Sequence, residues 1–101
     1  MKWQIVKRKL MNNTNDFIYA DVAKENIGAV MSQYTHLVWV EKKKKNPNLE
    51  EINRLYLKRD EYAATLFNFH EVSQDNYKLI AEEYGQLFKD NEKKIEANIA
   101  I

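Results

Sequence analysis

With 101 residues, one proline and two glycines, the chain has the length of a single domain and too few turn formers for a turn-rich β fold. It contains no cysteine, which excludes a disulfide framework, a thiolate zinc site and thiol chemistry. Hydrophobic residues at 45% and charged residues at 31% describe a globular chain rather than a disordered one. The net charge of +1 conceals an asymmetry: residues 1–45 hold nine basic and four acidic side chains (+5), and the remainder seven basic and eleven acidic (−4). Such polarity can steer a partner, or let the basic part lie against the acidic part of the same or a neighbouring chain. Thirteen lysines against three arginines, with eleven asparagines, point to an AT-rich genome such as that of a low-GC bacterium or one of its phages.

In chain order, residues 2–10 alternate loosely and read as either a short strand or an early helical turn. Lys7 interrupts their apolar run before a signal-peptide core could form. No later stretch approaches the ~20 apolar residues of a membrane span, so the expectation is a soluble, cytoplasmic protein. Asn12 to Asp16 form a turn and capping cluster. After it Phe17, Ala20, Ala23, Ile27, Val30, Met31, Tyr34, Leu37 and Val38 recur at steps of three and four, which predicts a helix from Asp16 to Lys45. At ~1.5 Å per residue that helix reaches roughly 45 Å, longer than a compact domain of this size requires, so it should protrude, bend or be shared in a dimer. Gly28 is a weak point within it. Leu37 to Val40 are apolar all round and give Thr35–Glu41 a rival reading as a strand.

Lys42, Lys43, Lys44 and Lys45 then place cations at a helix C-terminus, Asn46-Pro47-Asn48 forms a turn, and Glu50 and Glu51 open the next helix. Asn48 with Glu51 three residues on has the form of a capping box. The second helix is predicted from Leu49 to about Val72, with Ile52, Leu55, Tyr56, Arg59, Tyr62, Ala63, Leu66, Phe67 and His70 inward. Ser73 to Asn76 interrupt the pattern, and a third helix continues from Tyr77 through Ile80, Ala81, Tyr84, Leu87, Phe88, Asn91, Ile95 and Ile99. The expected fold is all-α over residues 1–101: a long helical hairpin plus a third helix, a three-helix bundle.

Enzymatic signatures are missing from the sequence. A di-metal bundle site needs Glu-x-x-His pairs, but His36 and His70 have Gln33 and Phe67 at that position and read as structural histidines. Ser32 and His36 lie one turn apart, yet a mid-helix serine bonds its own backbone and lacks an oxyanion hole. Two glycines build no phosphate-cradling loop. The sequence therefore leads to a non-enzyme without metal or cofactor. Phe17, Tyr19, Trp39, Tyr56, Leu57, Tyr62, Phe67, Phe69, Tyr77, Tyr84 and Phe88 together exceed what three helices can enclose, which leaves apolar surface for a partner protein. Trp39, Tyr62 and Phe69 are the candidate anchors, with Lys42 to Lys45 as a steering rim. Arg59 and Asn91 interrupt apolar stripes, where polar residues can fix register and oligomeric state. The reading is a homodimeric or partner-bound interaction module, of the kind found among small inhibitors, immunity proteins and phage or mobile-element accessory proteins. The alternative is a nucleic-acid accessory protein that uses Lys7, Arg8, Lys9 and Lys42 to Lys45 on phosphates, with Trp3 and Trp39 stacking on bases.

Overall fold

The computed structural model describes residues 14–73 and 76–101, and the expectations for residues 2–10, including Lys7, Arg8 and Lys9, lie outside them. The described residues form an all-α bundle of four helices: α1 (Thr14–Lys42), α2 (Leu49–Phe67), the short α3 (Phe69–Ser73) and α4 (Tyr77–Glu96). The rival strand over Thr35–Glu41 is not realised, because α1 continues through it. The helix sorts its apolar run radially, with Val38 turned into the core and Trp39 and Val40 turned out. α1 is the shared partner of α2 and α4.

Ala20, Ala23, Ile27, Val30, Tyr34, Val38 and Glu41 are buried at steps of three and four, so a single stripe of α1 faces both partners. Two clusters fill the interior. Near the start of α1, Ala20, Ala23 and Ile27 pack with Phe69 and Ala81; further along, Val30, Tyr34 and Val38 pack with Ile52 and Leu55. Tyr62 and Tyr84 touch both clusters and join them. Tyr62 stacks on Tyr34 at 5.7 Å and meets Tyr84 edge-on at 6.0 Å, so one aromatic side chain from each long helix converges at mid-bundle. Ile27 and Val30 are fully enclosed, and each such side chain contributes about 1.5–3 kcal/mol of hydrophobic stabilisation.

The second helix ends earlier than the periodicity indicates. The pattern predicts a helix to about Val72, but α2 stops at Phe67 and Asn68 serves as C-cap, its backbone and side-chain N–H groups both donating to the Ala64 carbonyl. The break redirects the chain. Phe69 becomes 2% exposed in the core, whereas Phe67, expected inward, is 90% exposed, and His70 also lies outside. His70 instead meets the Tyr77 hydroxyl at 3.3 Å and links α3 to α4.

At the hairpin the expected capping box is half formed. Asn48 Oδ1 accepts from the Glu51 amide at 3.2 Å, but Glu51 does not return the bond, since its carboxylate holds Arg54. The reciprocal contact comes from α1: buried Glu41 accepts the Asn48 N–H at 3.0 Å and the Lys44 ammonium at 2.8 Å. These two donors, Lys44 first, hold the Glu41 pKa below the ordinary carboxylate range. α4 ends in a Schellman motif. Asn98 takes the left-handed conformation (φ 58°), and the amides of Asn98 and Ile99 donate back to the carbonyls of Ile95 and Lys94.

Candidate interaction surface

α1 and α4 are parallel, in a register set by side-chain amides. Asn26 Nδ2 donates to the Ala81 carbonyl and Gln33 Nε2 to the Phe88 carbonyl, both at 2.9 Å, so a seven-residue advance on one helix matches a seven-residue advance on the other. Gln33 Nε2 also reaches Glu92 Oε1 at 2.9 Å, and Gln33 Oε1 accepts from Asn91 Nδ2 at 3.0 Å. Gln33 and Asn91 are 4% and 3% exposed, so this network lies inside the bundle with its main donors and acceptor engaged. Gly85 belongs to the same seam. A Cβ there would meet Asn26 Nδ2 at 3.1 Å, so the glycine admits the asparagine amide that reads α4.

The proposed anchors fall in different environments. Trp39 is 61% exposed, with the Lys43 ammonium over its ring at 4.7 Å. Phe69 and Asn91 are interior, and Tyr62 is half-buried in the central aromatic stack, so the structure does not gather the five candidate residues on one face. Arg59 is half-buried, its guanidinium 4.7 Å from the Tyr56 ring centre and 3.3 Å from Asp60. Asn91, a polar residue on an apolar stripe, bonds within the chain, donating to Gln33 Oε1. Gln33 is not marked by the apolar periodicity, and its signal in the sequence is its seven-residue spacing from Asn26.

Lys42, Lys43, Lys44 and Lys45 are all exposed, yet three have internal partners. Lys42 donates to the Tyr56 hydroxyl at 2.8 Å and lies over its ring, Lys43 covers Trp39 and Lys44 holds Glu41. Further exposed apolar side chains are Phe17, Ile18 and Val22 at the start of α1, Val40 near its end, Leu49 and Leu57 on α2, and Leu79 on α4. Beside the α1–α4 seam a shallow groove of about 410 Å³ is lined by Ala29, Ser32, His36, Phe88, Glu92 and Ile95. Ser32 and His36 share this groove without forming a nucleophile and base, because Ser32 Oγ donates to the Gly28 carbonyl at 3.0 Å. Among the described residues no three His, Asp or Glu side chains gather as metal ligands would, and no helix is long and apolar enough to cross a membrane. Comparison with protein-family models, curated proteins and solved structures finds no match for this chain.

Proposed function

We propose that this chain is a non-enzymatic helical interaction module that acts by binding another protein, in the manner of a small inhibitor, an immunity protein or a phage or mobile-element accessory protein, and that it works as a homo-oligomer in the cytoplasm. The observation that carries the reading is Trp39. A large aromatic side chain stands 61% exposed on the side of α1 that neither α2 nor α4 covers, with a lysine ridge beside it, while the interior has its own apolar clusters and a bonded polar network. Tryptophan beside cationic side chains is a frequent composition for a binding hot spot and its charged rim. The nucleic-acid reading has less support, since a net charge of +1 lacks the overall basicity usual for nucleic-acid binding modules. Affinity capture with the wild type and with Trp39→Ala tests the proposal: a partner protein should be recovered by the wild type and lost with the variant at unchanged helicity. Equal recovery by both, or recovery only of nucleic acid that salt releases, would refute it.

A further inference from the structure

The groove of about 410 Å³ beside the α1–α4 seam presents hydrogen-bond acceptors and almost no donors. Gln33 commits both hydrogens of its amide, one to the Phe88 carbonyl and one to Glu92 Oε1. Ser32 gives its hydroxyl hydrogen to the Gly28 carbonyl, which leaves its oxygen only lone pairs to offer. Glu92 is a half-buried carboxylate, and Gln33 engages one of its two oxygens. Among the described residues no Lys or Arg lies within ion-pair distance of it, although Lys89 is one turn away on the same helix. Of the lining side chains, only the exposed His36 imidazole can still donate a hydrogen bond.

A ligand that satisfies this lining brings donors and positive charge, together with an apolar part, because Ala29, Phe88 and Ile95 supply the walls. A guanidinium on an alkyl stem has that composition, with a planar fork of N–H donors, no acceptor and a permanent charge. Phosphate has the opposite one. An ammonium matches the charge, but it is compact, strongly hydrated and carries fewer donors. The position of the groove points to a protein as the source. Ser32 and His36 precede Trp39 by two turns and one turn of α1, so the groove adjoins the exposed indole. We propose, resting on the interaction reading above, that this groove is the specificity pocket of the Trp39 surface and takes an arginine side chain of the partner protein. The guanidinium donates to the second oxygen of Glu92 and to Ser32 Oγ, the stem lies along Ala29 and Ile95, and Gln33 holds the carboxylate in place.

Nuclear magnetic resonance of the full chain, titrated with butylguanidinium chloride, tests the pocket. Saturable shifts are expected in the millimolar range at the Ala29 and Ile95 methyls and the Gln33 side-chain amide. Butylammonium should bind at least about fivefold more weakly, and inorganic phosphate should leave these signals unmoved. Glu92→Gln keeps the acceptor for Gln33 but removes the charge, so it should weaken butylguanidinium binding by at least about tenfold. Ala29→Leu fills the groove without touching a polar group and should abolish the Ile95 shift at unchanged helicity. No saturable shift with the wild type, butylammonium bound as tightly as butylguanidinium, or an affinity indifferent to Glu92→Gln would overturn the arginine pocket. A partner protein captured by the wild type should be lost with Glu92→Gln as well as with Trp39→Ala. A partner lost only with Trp39→Ala would overturn the pocket alone. A butylguanidinium site on a chain that captures no protein through Trp39 would overturn the functional reading alone.

Discussion

Replacing Asn91 with leucine removes the donor to Gln33 Oε1 at a site where both side chains are almost wholly enclosed. Gln33 borders the α1–α4 groove but is only 4% exposed, so the stranded oxygen is poorly hydrated, and a buried acceptor without a partner costs about 1–3 kcal/mol. Gln33→Leu strands the Asn91 amide in the same way, with a similar cost. Its other bonds add little, because the Phe88 carbonyl sits within a helix that already uses it and Glu92 is only half-buried. The double replacement strands neither group and adds apolar contact between α1 and α4. It should therefore lie within about 1 kcal/mol of the wild type, although the single variants together would sum to roughly 4 kcal/mol. At ~4–8 °C per kcal/mol for a domain of this size, each single variant should melt roughly 8–15 °C lower. Urea unfolding followed by circular dichroism at 222 nm, on all four chains, measures the coupling. A double variant as unstable as the sum of the singles would refute the argument and show that the amides contribute by packing rather than by satisfying one another.

Three further outcomes follow from the ends and the centre of the bundle. Glu41→Ala should destabilise the hairpin more than Glu41→Gln, since glutamine can still accept the Asn48 amide. Because the Glu41 pKa is lowered in the fold, its contribution is present above about pH 4.5 and fades as the pH falls below, so wild type and Glu41→Gln should converge in acid denaturation. Burial, helped by neighbouring Tyr62, pushes the Tyr34 hydroxyl up to about 12. The unfolded chain ionises first, so stability should decline as the pH rises from about 10 to about 12, and Tyr34→Phe should flatten that decline in a pH series of thermal melts. Asn98→Val should destabilise the end of α4 by about 1 kcal/mol or more, because a β-branched residue resists the left-handed conformation, whereas Asn98→Gly should be close to neutral by the same melts.

Periodicity made the fold class, the hairpin turn and most of the core legible. The stripe from Ala20 to Val38, the Asn46–Asn48 turn and the start of α4 at Tyr77 stand where spacing and caps put them, whereas Phe17 and Ile99, expected inward, are exposed, α1 ends at Lys42 instead of Lys45, and α4 ends at Glu96. The break at Asn68 was not legible, because asparagine in mid-pattern competes with the helix only when its side chain finds a carbonyl, here that of Ala64. One missed residue exchanged Phe67 and His70 for Phe69 in the interior. The Glu41 clamp was hidden for a different reason: its partners Lys44 and Asn48 lie across a turn, and the capping-box pattern pointed to Glu51 instead. Among the candidate anchors, exposure separated Trp39 from Phe69, a distinction that aromatic content does not carry.

Trp39 stands exposed at the surface proposed to bind another protein, and fluorescence quenching of that residue tests the proposal directly. In a Trp3→Phe chain, leaving Trp39 as the sole indole, acrylamide should quench emission readily in the dilute chain. Emission should shift to the blue and become protected when the chain is concentrated or mixed with a captured partner. An indole that stays fully quenchable under every one of these conditions would contradict the account.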